Sequence, residues 1–334
     1  MSIPTVSVGG QQVGKIATGL MRLTWAPEAT PDETSFELIR TAVDNGSNFL
    51  NSGAFYGTRT PTENLELISR FLEAHPDYSD RFVLSVKGGL DSSLKSHGEL
   101  DFLREDVKKI NATLKHRKMD VYEPARLDKS VGIEQVMRNL VTLRDEGHFK
   151  YISLSEVRGE TIRKAAAIGP VSAVEIEYSP FCTDIEKEDI GVLAACKELD
   201  IPIVAYSPLG AGFLGNSWKS KDDIPEGDMR RHFDRFSEEN FEHNARLARK
   251  LGEIAEKKGV TAAQLSIAWV GAQWEKIIPL PGSTKPSRVK ESIEAGKIQL
   301  TEEDLKEIRA AIDSVEVKGV RYANNPHIQG TLFG

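Results

Sequence analysis

Apolar runs of strand length alternate along the chain with longer amphipathic stretches of helical period. The runs Lys15–Thr18, Asn48–Asn51, Phe82–Lys87, Asp120–Ala125, Tyr151–Leu154, Ala173–Glu177, Ile201–Ala205 and Ile277–Leu280 predict strands. Between them, Glu33–Asp44, Thr62–Ala74, Leu100–Leu114, Ile133–Glu146 and Lys187–Leu199 predict amphipathic helices. Thr30-Pro31-Asp32-Glu33 reads as a cap residue, a helix-starting proline and acids in the first turn. Strands separated by helices imply parallel pairing through right-handed crossovers. About eight such units, with no composition break between halves, favour a closed (β/α)8 TIM barrel over an open doubly wound sheet. The expected organisation is one domain over residues 1–334, with the barrel at 15–313. Three segments fall outside the alternation. Thr5–Val8, Gly9-Gly10 and Gln12–Lys15 predict a small N-terminal hairpin. Asn216–Asn240 is polar and reads as a long mobile insertion, and the aperiodic tail 314–334 is expected to wrap onto the body.

Composition narrows the function classes. Hydrophobic residues make up 40% of the 334, enough for a sizeable core and too many for a disordered chain. The net charge of −7 gives no global basic field for nucleic acid or an anionic membrane, so any anion site must be local. Cys182 and Cys196 fit neither a disulfide framework nor a zinc motif, and the seven histidines lack metal-ligand spacing, so no metal is expected. No basic-then-apolar leader and no membrane-length apolar run is visible, which predicts a cytoplasmic protein, with the nucleus also open to it. The oligomeric state is left open. Gly210-Ala211-Gly212-Phe213-Leu214-Gly215 matches G-x-G-x-x-G, but the polar, irregular residues after it do not continue as the helix a dinucleotide fingerprint requires. These glycines still permit close backbone approach to a phosphate. There is no P-loop and no serine-hydrolase elbow.

The chemistry-bearing residues fall at strand ends. Asn51-Ser52-Gly53-Ala54-Phe55-Tyr56-Gly57 ends the second barrel strand, Lys87 ends the third, and Asp120–Asp128 carries the fourth. Ser155, Glu175 and Tyr206-Ser207-Pro208-Leu209-Gly210 follow at later strands, and Pro281–Arg288 opens the last helix. In this order the set resembles the aldo-keto reductase superfamily from about residue 15 to about 312. Glu123-Pro124-Ala125-Arg126 and the closing Val317–Tyr322 are most similar to its yeast pyridoxal reductase branch. The resemblance implies NADPH-dependent reduction of an aldehyde to an alcohol, with pyridoxal reduced to pyridoxine as the expected reaction. A small-molecule aldehyde is then the partner, and NADPH/NADP+ the cofactor. It further implies that Tyr56 donates the proton and Lys87 tunes it. Physically, an ammonium beside the phenol favours the phenolate and lowers a pKa that otherwise sits near 10. Tyr206 is expected to stack on the nicotinamide. Gly19, Met21, Ser155 and Glu175 would border it, and Ser207, Leu209 and Gly212 would line the cofactor. Gly282, Ser283, Thr284, Lys285 and Arg288 would hold its phosphate, the two cations favouring the 2′-phosphate over a bare ribose. Trp25 offers a flat apolar face to an aromatic substrate.

Four positions depart from the family pattern. Asn51 stands in place of Asp, Ala125 in place of His, Glu175 in place of Gln and Glu156 in place of Asn. These keep alive an NADPH-binding regulatory barrel with weak or no turnover, and also a general aromatic aldehyde reductase. Strand alternation turns Glu123 to the same inward face as Ala125. An inward carboxylate is costly unless paired. Glu123 is therefore expected either to supply Lys87 with the negative partner that Asn51 cannot, or to pair with an inward arginine.

Overall fold

The computed structural model describes residues 3–215, 218, 220–322 and 329–334. Asn216, Ser217 and Lys219 of the insertion and residues 323–328 of the tail lie outside the described residues. The chain opens with an antiparallel hairpin, β1 (Thr5–Val8) and β2 (Gln11–Gly14), turned by Gly9 and Gly10 at positive φ. The barrel strands follow as β3 (Thr18–Gly19), β4 (Phe49–Gly53), β5 (Val83–Gly88), β6 (Val121–Pro124), β7 (Tyr151–Ser155), β8 (Ala173–Glu177), β9 (Ile203–Tyr206) and β10 (Ile277–Leu280). Each pairs in parallel with its sequence neighbour. Closure is by β3 on β10: the Ala17 and Gly19 amides donate to the Pro279 and Pro281 carbonyls at 2.9 and 3.0 Å. The (β/α)8 barrel is therefore complete.

The outer layer comprises α1 (Asp32–Asp44), α2 (Glu63–Ala74), α3 (Leu100–Leu114), α4 (Ile133–Asp145), α5 (Gly159–Ala166) and α6 (Val192–Glu198). It continues with α7 (Glu238–Lys257), α8 (Ala262–Ala272), α9 (Pro286–Glu294) and α10 (Glu302–Asp313). Their apolar faces pack on the outward residues of the sheet in one continuous core. A second apolar cluster fills the lower interior: Phe49, Val83, Val121, Ala173, Val204 and Ile278 form its floor, and hairpin residues Val6, Val8 and Val13 plug it. The lower end is thus dry and sealed. Whatever chemistry the barrel performs belongs at the other end.

Four local expectations are corrected. The first barrel strand covers only Thr18–Gly19, because Lys15 and Ile16 lead in from the hairpin and leave two residues to pair with β4. Helix α1 begins at Asp32 with Pro31 as its cap, so Thr30 makes no side-chain cap. Helix α6 is shorter than expected, because Gly191 takes a left-handed conformation and breaks the chain before Val192. The described part of the insertion is tied down rather than loose. Asp228, buried, accepts from Arg22 at 2.8 Å and Arg230 at 2.7 Å, and Phe236 packs in the core. Gly210–Gly215 forms short 3-10 turns kinked at Ala211 and Gly212, both at positive φ, and opens no α-helix.

Candidate active site

Side chains alternate along a strand, so the inward set can be followed upward from the floor. Above Phe49 comes Asn51, above Val83 come Ser85 and Lys87, above Val121 comes Glu123, and above Ala173 come Glu175 and Glu177. All are buried. The interior changes from apolar to ionic over one strand repeat.

Lys87 stands at the centre, only 6% exposed. Its Nζ donates to the Asn51 Oδ1 at 3.2 Å and to the Glu175 Oε1. The Asn51 Nδ2 in turn donates to the Glu175 Oε2 at 2.7 Å. Glu123 lies directly opposite Lys87 in the β5–β6 register, its Oε1 3.2 Å from Nζ as an ion pair without hydrogen-bond alignment. Glu123 therefore faces inward and meets Lys87, as one of its two expected alternatives required. The additional partner, Glu175, was expected to face the cofactor instead. Its two oxygens both accept from N–H donors. Burial and the Glu123 carboxylate raise the Glu175 pKa, opposed by Lys87. Although burial disfavours the Lys87 ammonium, Glu123 and Glu175 together hold it protonated well above the ordinary lysine range.

Tyr56 follows β4 in the loop to α2 and folds back over Gly53, where a Cβ would meet the ring at 3.0 Å. Its ring packs on Phe55 and Trp25, at centroid distances of 5.0 and 5.6 Å. The expectation that Lys87 lowers the Tyr56 pKa is corrected in its net sign. Burial is the largest effect and pushes the phenol up to about 12; Lys87 pulls down, Glu175 and Glu123 push up, and Arg126 pulls down weakly. Ala125, which brings no imidazole to the site, is buried, and Arg126 beside it donates to the Ala125 carbonyl at 2.6 Å.

A second ionic cluster adjoins the first. Tyr206 donates its hydroxyl to the Glu156 Oε1 at 2.7 Å. Arg321, from the C-terminal tail, reaches the same Glu156 oxygen at 2.8 Å, the Tyr206 hydroxyl at 2.5 Å and the Glu177 Oε2 at 2.5 Å. Arg235 of the insertion holds the other Glu177 oxygen at 3.1 Å. The last residue completes the wrap: the Gly334 amide donates to the Glu156 carbonyl at 2.9 Å, and its carbonyl accepts from the Thr161 hydroxyl at 2.8 Å. Glu177, Arg235 and Arg321 are site-forming residues that the sequence reading did not single out. Glu177 was the available signal, since it shares the inward parity of Glu175 and a buried acid needs a cation.

The remaining expected residues lie at or just beyond the upper ends of β3, β7, β9 and β10. Ser155 ends β7 with its hydroxyl buried and unbonded among the described residues. Gly19 and Gly282 meet as a bridge at the barrel seam, and Met21 begins a short turn after β3. Ser207 and Gly212 are at positive φ in the loop after β9, with half-buried Leu209 between them. Ser283, half-buried like Thr284, accepts from the Lys285 amide at 3.0 Å. Lys285 caps α9, and both it and Arg288 are exposed, with no ion pair recorded among the described residues. No cluster of three or more metal-ligating side chains occurs among the described residues, and no described helix is long and apolar enough to cross a membrane.

Residues 15–313 match the model of the aldo/keto reductase family. The chain belongs to this family. It is 37% identical over 332 residues to probable pyridoxal reductase 2 of Schizosaccharomyces pombe, covering 97% of this chain and 98% of that protein. It is 39% identical over 328 residues to aldo-keto reductase yakc [NADP(+)] of the same yeast, covering 96% and 95%. The glycerol dehydrogenase AKR11B4 of Gluconobacter oxydans superposes with a TM-score of 0.83 at 21% identity, over 96% of this chain and 98% of that one. That likeness is one of fold.

Proposed function

We propose that this aldo/keto reductase reduces an aldehyde to an alcohol with NADPH, and that pyridoxal is its substrate. The carrying observation is Tyr56 and Lys87 buried together at the upper ends of β4 and β5, where barrel enzymes hold their reacting groups. The residues present fit the cofactor: Ser155 supplies a buried, unbonded hydroxyl for an amide, and Lys285 and Arg288 are exposed cations at a helix start. Bound NADPH supplies the hydride. The protein's own part is to hold the carbonyl against Tyr56, whose phenol protonates the oxygen as negative charge develops there, while Lys87 stabilises the phenolate left behind. Trp25 and Phe55 present aromatic surface beside Tyr56, suited to a flat heteroaromatic aldehyde.

A second reading has specific support. Asn51 brings no charge to Lys87, Ala125 brings no imidazole, and Tyr56 is a weakened acid, all of which suit a barrel that binds NADPH and turns over little. Consumption of NADPH followed by absorbance, with pyridoxal, pyridoxal phosphate and benzaldehyde in parallel, separates the readings. Pyridoxal reduced most efficiently supports the proposal. Benzaldehyde favoured over pyridoxal removes the narrower substrate, and nicotinamide fluorescence changes without turnover leave the binding barrel.

A further inference from the structure

We propose that Glu175 on β8, not a residue on β4, supplies the hydrogen-bonded counter-charge of Lys87, and that Glu175 is thereby a positioning residue that sets the acidity of Tyr56. Its kinetic consequence rests on the reductase reading; the pairing does not. Asn51, Lys87 and Glu175 form a closed ring: ammonium to carboxylate, ammonium to amide oxygen, amide nitrogen to carboxylate. Asn51 uses both ends of its amide to bridge the other two. The ring explains why these two residue types occur together. A carboxylate on β4 in place of the Asn51 amide would offer Glu175 an oxygen where the amide now donates at 2.7 Å, and two carboxylates at that distance cannot both stay ionised. An amide on β8 in place of the Glu175 carboxylate, conversely, has one oxygen for two N–H donors, so its own NH2 would face one of them. Exchanging both at once, Asn51→Asp with Glu175→Gln, restores a complete ring. The new carboxylate on β4 then faces Lys87 and accepts from the new amide on β8. Glu123 is close enough to act through its charge, but it lacks the alignment to hold the ammonium in place.

The groups acting on this ring are few. Lys87 faces Glu123, Glu175 and Tyr56; Glu175 also feels Glu156; Tyr56 also feels Arg126. Glu175 raises the Tyr56 pKa through its own charge, against the Lys87 ammonium, which lowers it.

The test is a double-mutant cycle in the full chain: Glu175→Gln, Asn51→Asp and the two combined. In Glu175→Gln the phenol becomes easier to ionise, so the alkaline limb of aldehyde reduction shifts to lower pH by about one unit or more. In Asn51→Asp one of the two facing acids takes up a proton, so the limb stays near that of the wild type, and each single variant loses about tenfold or more in kcat. The combined variant regains the wild-type limb and most of kcat. A residue that only supported the fold would leave the pH profile in place. An unchanged limb in Glu175→Gln, or a combined variant no better than the worse single, overturns the proposal. Urea unfolding gives the same cycle without turnover: the singles unfold at lower denaturant and the combined variant recovers, whereas additive losses refute the ring. If the wild type reduces no aldehyde, the reductase reading falls and the unfolding cycle alone decides the pairing.

Discussion

Arg321→Met keeps side-chain length and removes the charge that ties the tail to the barrel mouth. Arg321 is 6% exposed and serves two carboxylates, Glu156 at 2.8 Å and Glu177 at 2.5 Å. Removing one partner of a buried ion pair costs about 3–5 kcal/mol because the other charge is left buried. Here each acid retains some compensation. Glu177 keeps Arg235 at 3.1 Å, while Glu156 keeps the Tyr206 hydroxyl at 2.7 Å and the Glu177 amide at 3.2 Å. The expected loss is therefore at the lower end, about 3 kcal/mol at pH 7. The pH dependence has a definite sign. Burial raises the Glu156 pKa, but the Arg321 and Arg126 charges and the hydrogen bonds from Arg321 and Tyr206 outweigh it, so the net shift is downward. A carboxyl depressed in the folded state stabilises above its unfolded pKa, and this contribution is lost as pH falls through the folded value. Arg321→Met removes much of that contribution, so the difference between variant and wild type holds from pH 7 down to about pH 4, where an unfolded carboxyl titrates, and narrows below it. Urea unfolding followed by tryptophan fluorescence at pH 7 and at about pH 3 measures it. A loss under about 1 kcal/mol at pH 7, or an equal loss at both, would refute the assignment of Arg321 as the buried counter-charge.

Tyr56→Phe preserves the ring contacts and deletes the proton, so kcat falls by about 10²–10⁴-fold while NADPH binding by fluorescence stays near wild type; near-normal turnover would assign the proton to another group. Charge reversal of Lys285 and Arg288 together raises the KM for NADPH strongly and leaves that for NADH nearly unchanged, and equal losses would place the 2′-phosphate elsewhere. Glu123→Gln removes a charge that raises the Tyr56 pKa less than Glu175 does, so its alkaline limb shifts to lower pH by less than that of Glu175→Gln. An unshifted limb shows that Glu123 acts only in packing.

Much of this architecture was legible because barrel strands repeat one simple parity. Ala173–Glu177 and Ile277–Leu280 form strands over the residues their apolar runs predicted. The inward turn of Glu123 followed from its two-residue spacing to Ala125. The Tyr56–Lys87 pair was legible as motif and order, but the net direction of the tyrosine's shift was not, since burial and the two acids are three-dimensional facts. The tail cluster was illegible for a related reason. Arg321 meets Tyr206 across 115 residues of sequence, and nothing local to Val317–Tyr322 says which acid it will reach. Only Glu177, which shares the inward parity of Glu175, pointed to a missing cation.

These acids change how the site must work. Lys87 alone would pull the Tyr56 phenol toward ionisation, but Glu175 and Glu123 oppose it, and burial is the largest influence. The same compensation recurs one layer up, where Arg321 and Arg235 answer Glu156 and Glu177. Each carboxylate is tolerated because a cation from a different element faces it: β5 for the first pair, the tail and the insertion for the second. Removing any one acid therefore unmasks a buried cation as well as deleting a contact. The acidity of Tyr56 is set first by its burial and then by the opposed charges of Lys87 on β5 and of Glu175 on β8 and Glu123 on β6.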